Sequence, residues 1–288
     1  MKTAVITGAA SGIGRASVSR MLQAGWKVFG TVRKSGDGQR LQSECGANFT
    51  PLILDVTDRP SITNAAAQLM SQIESLDGLV NVAGIGTVRP MEYATSKDIQ
   101  EIFDINAFGQ IAVTQAFLPL IRKAGGRVVN ISSIGAHFAI PFGGLLNASK
   151  SAFSIMSDAL RMELHPFGVH VSTIEPGAIK TPAVDKTLGH IDSVVAGLPQ
   201  QGQAQYGALL KNFAPRAYER EIHGSPPEVV AQAVYQALTD AHPKIRYRVG
   251  KHAGLLTTLS SVLPESVFQS LLLRITGLPS KFGALNHQ

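Results

Sequence analysis

The chain has 288 residues, 44% of them apolar, which fits one large α/β domain or two small ones. Its formal net charge is +6, but the basic residues form no run and do not interleave with aromatic residues, so we expect no nucleic-acid partner. A single cysteine, Cys45, excludes an internal disulfide and gives no metal cluster. We find no signal-peptide pattern and no apolar run of roughly 18 residues, and we therefore expect a cytoplasmic protein without a spanning helix.

The first predicted elements are a buried strand, a glycine-rich turn and a helix. Residues 3–7 form an apolar, β-branched run, and residues 15–24 are amphipathic. Between them stand Gly8, Gly12 and Gly14. Glycines let a backbone approach a pyrophosphate, which the amino end of a helix attracts. The segment indicates a dinucleotide site, with a plain tight turn as the alternative.

The end of the second predicted strand, residues 27–32, bears on the choice of cofactor. An acidic residue there would bind the adenosine ribose of NAD(H), whereas a nearby arginine accommodates the 2′-phosphate of NADP(H). The strand ends at Val32, and Arg33 and Lys34 follow it. Ser11 in the glycine turn could add a hydroxyl contact to the phosphate. The sequence therefore favours NADP(H) over NAD(H).

Three further strands carry polar residues at their carboxyl ends, where open parallel sheets bind ligands. They are residues 51–54, 78–81 and 127–131, which lead in turn to Asp55 with Val56, to Asn81, and to Ser132 with Ser133. Helices are predicted over residues 60–75, 96–123 and 144–164. The second contains Asn106, for which a surface or buried hydrogen-bonding role is the plain interpretation. The third places positions 146 and 150 on one face, because they are four residues apart.

The last third of the chain begins with a predicted strand, residues 169–174. Residues 182–225 follow and are rich in Gly, Gln and Ala. We predict that they are irregular and form a substrate lid, because so long a connection is commonly functional. Possible pocket residues on this lid are Tyr206, Phe213 and Tyr218.

The carboxyl end is predicted to contain a helix over residues 226–239, a strand over 244–249 and an apolar helical tail over 255–278. The tail belongs to a C-terminal apolar cap, about residues 252–288. It could cap the pocket, pack a subunit interface or touch a membrane surface peripherally, in that order of preference. Without a repeat or a linker, residues 1–288 are predicted to form one domain.

Several motifs resemble those of the short-chain dehydrogenase/reductase family over nearly the whole chain, residues 3–249. They are Thr-Gly-xxx-Gly-x-Gly from Thr7 to Gly14, Asn-Val-Ala-Gly from Asn81 to Gly84, Asn106, Ser133 with Lys150, and Pro-Gly-xxx-Thr from Pro176 to Thr181. The run from Ala159 to Ala178 looks closest to steroid and retinol dehydrogenase-like members. The family carries a tyrosine thirteen residues after the serine and four before the lysine, and Leu146 occupies that position here.

The resemblance implies an α/β fold, a Rossmann-type doubly wound parallel sheet of about seven strands with helices on both faces. It implies a catalytic set of Asn106, Ser133 and Lys150, and a substrate pocket of Ser133, Phe142, Leu145 and Leu146. Family members usually form homodimers or homotetramers. The implied contacts to the cofactor come from Thr7, Gly8, Ser11, Gly12, Ile13, Gly14, Arg33, Asp55, Val56, Asn81, Ala83, Gly84, Lys150, Pro176, Gly177 and Thr181.

In the family, the tyrosine gives or takes the proton while hydride passes to or from the cofactor. Because Leu146 cannot do this, three alternatives remain for the function of the chain. The first is an NADP(H)-dependent oxidoreductase of bulky apolar carbonyls or alcohols, with water, His137, Asn147 or a lid tyrosine as the proton donor. The second is a non-redox catalyst of cyclisation, isomerisation or pericyclic chemistry. The third is a cofactor-binding protein without catalytic activity.

Overall fold

The computed structural model describes residues 1–278. Its strands are β1 (Thr3–Ile6), β2 (Lys27–Val32), β3 (Phe49–Ile53), β4 (Gly78–Asn81), β5 (Arg127–Ile131), β6 (His170–Pro176) and β7 (Arg246–Val249). They form one sheet in the order β3-β2-β1-β4-β5-β6-β7, and every neighbouring pair is parallel. This confirms the predicted Rossmann-type sheet.

Twelve α-helices within residues 1–278 accompany the sheet. They are α1 (Gly12–Gln23), α2 (Ser35–Cys45), α3 (Arg59–Met70), α4 (Ser96–Phe103), α5 (Gly109–Ala124), α6 (Gly144–Leu164), α7 (Pro182–Leu188), α8 (Ile191–Ala196), α9 (Gln200–Ile222), α10 (Glu228–Thr239), α11 (Ala253–Val262) and α12 (Glu265–Thr276). Each of them is too short or too polar to cross a bilayer.

Helices cover both faces of the sheet, which explains why its strands are continuously apolar. On β1, Ala4 and Ile6 face a core that includes Val18 of α1 and Val234 of α10. Val5, between them, faces a second core built with α3, α5 and the end of α6. Because successive side chains point to opposite faces, one apolar strand supplies both cores.

The strand order reverses at β1, whose neighbours are β2 and β4. Open sheets of this kind bind ligands in the crevice beyond the carboxyl ends of the strands at the reversal. The residues that follow β1 and β4 therefore border the crevice in which a ligand is expected.

The prediction that residues 182–225 are irregular is wrong, because α7, α8 and α9 occupy most of this segment. In α9, Leu210, Phe213, Ala214 and Ala217 are buried at helical spacing. Its glycines permit close packing rather than turns: a Cβ on Gly202 would lie 3.1 Å from the Tyr93 ring.

The other predicted element boundaries differ less from the structure. The predicted helix 96–123 consists of α4 and α5 joined by a π-helical turn, Asp104–Phe108. The predicted helix 60–75 ends at Met70, and the last strand begins at Arg246. Residues 255–278 are helical as predicted, whereas the end of the proposed cap, residues 279–288, lies outside the described residues.

Candidate active site

The glycine turn between β1 and α1 lies against the loop that follows β4. Gly8 and Gly12 have φ of +64° and +54°, values that glycine adopts without steric cost. A Cβ on Gly14 would collide with the carbonyl oxygen of Gly8. Thr7 Oγ1 accepts hydrogen bonds from Val82 N at 2.8 Å and from the following amide at 3.0 Å. The turn thus brings bare backbone and the free amides of α1 to the crevice, as a pyrophosphate requires.

The Pro-Gly-xxx-Thr segment reaches from the sheet to this same turn. Pro176 ends β6, and Gly177 N donates to Val249 O at 2.8 Å. At the other end of the segment, Thr181 precedes α7, and a Cβ on Gly12 would lie 3.2 Å from the Thr181 Cβ. The residues predicted for the pyrophosphate and for the nicotinamide end of a dinucleotide therefore border one crevice.

Arg33 and Lys34 extend from the end of β2 into solvent. Neither forms an ion pair with another residue of the described chain, and the nearby Asp37 binds Arg40 instead, at 3.5 Å. Ser11, the residue before α1, is also exposed. The surface predicted to bind the adenosine end of the cofactor therefore carries two cations without an ion-pair partner among residues 1–278, and one exposed hydroxyl.

Three other predicted cofactor residues have structural partners. Asp55 Oδ1 accepts hydrogen bonds from Thr57 N at 2.9 Å and Thr57 Oγ1 at 2.7 Å. Val56 is buried, and its carbonyl oxygen packs against Gly109 of α5. Ile13 packs its side chain partly into the core on the α1 face. Their polar contacts with a nucleotide would come from the free Asp55 oxygen and from backbone groups.

Asn81 is a buried connection between strands. Its Nδ2 donates to Thr114 Oγ1 at 2.9 Å and to Asn130 Oδ1 at 2.8 Å, which joins β4 to β5 and α5. The loop after it approaches the glycine turn closely, because a Cβ on Gly8 would lie 3.1 Å from the Ala83 Cα. Asn81 therefore stabilises the sheet beneath the crevice.

Asn106 lies in the π-helical turn and is completely buried. Its Oδ1 accepts from Ile85 N at 2.8 Å, and its Nδ2 donates to Ile85 O at 3.0 Å and to Ser149 Oγ at 3.1 Å. Ser149 Oγ in turn donates to Leu146 O at 2.8 Å. A π-helical turn is frequent at functional sites. Here it holds the Asn106 amide between the loop after β4 and the first turns of α6.

Lys150 lies in the second turn of α6, and its Nζ donates to Ile131 O at 2.9 Å. Its Nζ is 5.9 Å from the centre of the Phe153 ring. A Cβ on Gly84 would lie 3.5 Å from this Nζ and 3.1 Å from Asn106 Oδ1, so the ammonium and the amide approach the same backbone atom. Burial disfavours the charged form and lowers the pKa of Lys150 to about 8.

Ser133 follows β5 and begins the 3₁₀ turn Ile134–Ala136. Its Oγ accepts a hydrogen bond from Gly135 N at 3.0 Å, which leaves the hydroxyl proton free to be donated. Ser132, in contrast, is buried and bonded to Lys150 O at 3.2 Å and Ser154 Oγ at 2.7 Å. Of the two serines, Ser133 is the one available to a substrate.

Leu146 is half-buried in the first turn of α6, one turn before Lys150. Leu145 and Phe142 next to it are buried. Phe142 has a φ of +63°, a left-handed conformation that is strained for a bulky side chain. The position that resembles the family's tyrosine is therefore apolar and has an apolar surrounding, with no proton to transfer.

The predicted lid packs on this apolar region through an aromatic cluster. Ring centres are 5.3 Å apart for Phe142 and Phe213, 6.2 Å for Phe142 and Tyr206, and 5.8 Å for Tyr206 and Tyr93. The Tyr206 hydroxyl donates to Glu92 Oε2 at 2.8 Å, and this bond raises the pKa of Tyr206. Two of the three predicted lid residues, Tyr206 and Phe213, thus contact a predicted pocket residue.

The third, Tyr218, lies elsewhere on the lid. Its hydroxyl donates to Asp185 Oδ1 at 2.7 Å, and this bond raises the pKa of Tyr218. Both residues line a surface cavity of about 550 Å³ between α7, α8 and α9, with His190 and Pro215 on its wall. Neither Ser133 nor Leu146 lines this cavity, so Tyr218 faces a separate hollow.

The two other candidate proton donors hold the loops around the site. His137 Nε2 lies 2.9 Å from Glu175 Oε2, and Glu175 is fully buried between this histidine, Arg246 at 2.6 Å and Arg248 at 3.3 Å. Asn147 Nδ2 donates to Gly135 O at 3.0 Å, and its Oδ1 accepts from Ile140 N at 3.2 Å. Both side chains have structural partners.

Sequence reasoning did not find Ser149, Tyr93 or Glu175. Ser149 adjoins Lys150 but looks like an ordinary helix serine, and Tyr93 is brought to the lid only by tertiary packing. Glu175 carried a usable signal, because an acidic residue in a buried strand needs cationic partners.

A profile described as "short chain dehydrogenase" matches residues 2–207. The chain therefore belongs to the short-chain dehydrogenase/reductase family. Within it, the chain is steroid/retinol dehydrogenase-like: it is 34% identical to retinol dehydrogenase 5 of Mus musculus over 286 residues, which cover 96% of this chain and 89% of that protein.

Two further relatives support membership of the short-chain dehydrogenase/reductase family. The chain is 31% identical to the NADPH-dependent 3-dehydrocapnine reductase of Ornithobacterium rhinotracheale, with 94% of this chain and 96% of that protein covered. The crystal structure of a short-chain dehydrogenase from Streptomyces avermitilis superposes with a TM-score of 0.73 at 29% identity, with 95% of this chain and 97% of that chain covered.

Proposed function

We propose that this chain is an NADP(H)-dependent oxidoreductase that reduces carbonyls or oxidises alcohols on bulky apolar substrates. The observation that carries the proposal is the buried Lys150 beside Asn106 and Gly84. A buried ammonium without an acidic partner is costly to the fold. A ligand that presents hydroxyl groups to it, such as the ribose of a nucleotide, explains why it is there.

The residues around the crevice fit a dinucleotide phosphate. Gly8, Gly12 and Gly14 would lie against the pyrophosphate, and Thr181 would hold the nicotinamide end. Arg33, with Lys34 beside it, would bind the 2′-phosphate, since neither cation has an ion-pair partner within residues 1–278 and no acid stands at the end of β2. The name of the Ornithobacterium reductase supports the preference for NADPH. When bound, the cofactor supplies or accepts the hydride.

The chain's own residues then bind, orient and shield the substrate. Ser133 Oγ–H donates a hydrogen bond to the substrate oxygen. Leu145, Leu146 and Phe142 form an apolar wall that excludes water and favours a bulky apolar substrate, as the name retinol dehydrogenase also suggests. Because Leu146 has no proton to give, we expect a rate lower than with tyrosine by roughly 10²–10⁴-fold.

The test is NADPH consumption measured together with product analysis, over steroid, retinoid and aromatic ketones. The proposal predicts an alcohol product formed in step with NADPH loss, and slower loss with NADH. Product without a change in NADPH would identify the alternative, a non-redox catalyst of isomerisation or cyclisation. Bound NADPH with no product on any ketone would identify a catalytically inactive cofactor-binding protein.

We propose that the chain forms a homodimer or homotetramer. Ile155 and Met162 lie seven residues apart on α6 and are 68% and 62% exposed, and Phe108 before α5 is 47% exposed. Apolar side chains grouped on long helices are what a subunit interface would cover.

We propose a cytoplasmic protein whose C-terminal helices cap the site. Phe268 of α12 packs edge-on against Phe138, at 5.3 Å between ring centres, on the loop that contains Phe142. The outer face of these helices exposes Leu255, Val262 and Val267, which a membrane surface could contact peripherally.

A further inference from the structure

The proposed reduction needs a proton at the substrate oxygen, and the obvious candidates have other partners. His137 binds Glu175, Asn147 holds the Gly135–Ile140 loop, and Tyr206 binds Glu92. Tyr218 lies at a separate cavity. The Tyr93 hydroxyl donates to Gln205 Oε1 at 2.6 Å. Among the described residues around the predicted substrate position, Lys150 is the titratable group that remains.

Lys150 is placed to take this role. It follows Leu146 by four residues, which puts both on one face of α6, about 6 Å apart along its axis. An ammonium has three N–H donors. One is used by Ile131 O, and no other hydrogen bond to the Nζ occurs within residues 1–278. Leu146 carries no polar atom, so a proton that leaves the ammonium would have to reach the substrate oxygen through water.

Among residues 1–278, the surroundings of Lys150 carry no charge that would hold its proton. Each element packed around the ammonium presents a neutral group to it. These groups are the Ile131 carbonyl of β5, the Asn106 amide of the π-helical turn, the Gly84 backbone after β4, and the Phe153 ring of α6. Burial alone lowers its pKa to about 8, near the range in which a general acid works best.

We propose that Lys150 is the proton donor of the reduction in this chain, acting through a water molecule that occupies the space of the absent tyrosine ring. The inference rests on the proposed function. The hydride forms the new C–H bond at the carbonyl carbon, and the electron pair of the C=O π bond moves to the oxygen. That oxygen takes a proton from the water, which takes one from Lys150 Nζ. The neutral amine is then protonated again from solvent.

The first test needs no turnover. The protein is labelled with ¹³C-lysine, and the Cε resonance of Lys150, identified by its loss in Lys150→Arg, is titrated with and without NADPH. The proposal predicts a midpoint near pH 8 in the cofactor-free protein, two or more units below the roughly 10.4 of exposed lysines. A midpoint with the exposed lysines overturns the proposal.

The second test is the pH profile of ketone reduction. We expect turnover to be constant below the Lys150 midpoint that the NADPH-bound protein shows in the first test, and to fall about tenfold per pH unit above it, because the ammonium is lost. Lys150→Arg keeps the charge but cannot give up its proton. It should bind NADPH yet lose at least tenfold in turnover, together with this fall at high pH. Lys123→Arg, on the exposed surface of α5, should keep the profile of the unaltered chain.

Three outcomes separate the donor from the proposed function. A pH midpoint that shifts with His137→Gln and not with Lys150→Arg overturns Lys150 as the donor. The same holds if the unaltered chain binds NADPH without turnover while Leu146→Tyr is active, although the oxidoreductase site then stands. If neither chain binds NADPH, the proposed function fails as well.

Discussion

At the scale of the residue, two adjacent turns of α6 define the chemical problem. Leu146 supplies an apolar side chain where the family's motif has a tyrosine, and Lys150 supplies a buried ammonium. Both sit next to Asn106, which reaches Leu146 O through Ser149. The proposed site therefore combines a buried charge and its hydrogen-bonded support with an apolar side chain at position 146.

Replacing Lys150 by methionine should stabilise the cofactor-free protein at pH 7. The folded-state pKa of about 8 lies below the ordinary value of 10.5, a difference worth about 3 kcal/mol. Between these values the unfolded chain binds more protons, so the stability of the unaltered chain rises with pH. The gain from Lys150→Met should therefore shrink between pH 8 and pH 10.

Urea unfolding of Lys150→Met at pH 7 and pH 9.5 measures this difference, with Lys123→Met as the exposed control. The same gain at both pH values would show that Lys150 is not an uncompensated buried charge.

Arg33→Asp should reverse the preference between the two nicotinamide cofactors. An acid after β2 repels the 2′-phosphate and accepts hydrogen bonds from the ribose of NAD(H). We expect the dissociation constant for NADPH to rise at least tenfold and that for NADH to fall, as measured by nucleotide fluorescence. Arg40→Asp is the control, because Arg40 pairs within α2. Unchanged NADPH affinity in Arg33→Asp would place the 2′-phosphate elsewhere.

At the scale of the element, the lid is held to the site by aromatic packing rather than by charge. Phe213 of α9 is 2% exposed and packs edge-on against Phe142. Phe142 in turn occupies a left-handed conformation that its surroundings must maintain. The contact joins α9 to the loop before α6.

Phe213→Ala should loosen this contact and cost roughly 3–5 kcal/mol of the stability of the region, as large-to-small substitutions in cores do. Limited proteolysis should then cut residues 182–225 faster, while the sheet keeps its unfolding midpoint in urea if the lid opens on its own. Phe167→Ala, at an exposed position, is the control. Equal proteolysis rates would contradict a lid that is anchored at Phe142.

The helices of the lid and the π-helical turn are two features that the sequence patterns did not predict. The strands and α6 were predictable, since apolar runs and helical spacing report burial directly. In α9, many Gly and Gln residues and Pro215 dilute the pattern, although Leu210, Phe213 and Ala217 keep its spacing. The π-helical turn adds one residue to a helical turn, and nothing in the local composition marks it.

At the scale of the whole molecule, a doubly wound parallel sheet of about seven strands was predictable from the family resemblance. The polar residues that follow successive strands indicated that a ligand would bind at the carboxyl ends of the strands. Contacts between distant segments could not be predicted from the sequence. The Glu175 cluster joins β6, β7, α6 and the loop of His137 through Arg246 and Asp158. Glu175 alone carried a signal, because it lies in a buried strand. Each of the other members looks like an ordinary surface charge, and only the fold brings them together.

The proposed homo-oligomer can be tested by a substitution on the exposed face of α6. Ile155→Glu introduces a charge at a residue that is 68% exposed, so the monomer should fold normally. Analytical ultracentrifugation should find a dimer or tetramer for the unaltered chain and a shift to monomer for the variant. Glu163→Gln is a control on the same helix. A monomeric unaltered chain would contradict the proposed homo-oligomer.

The central claim is that this chain keeps an oxidoreductase site that lacks one hydroxyl group. The most direct measurement compares NADPH oxidation by the unaltered chain and by Leu146→Tyr, with the same apolar ketones and at saturating NADPH. We predict comparable NADPH affinity and a turnover that is about 10²–10⁴-fold higher in the variant. Equal turnover in both chains would contradict the claim, because the hydroxyl at position 146 would then have no part in the proton transfer.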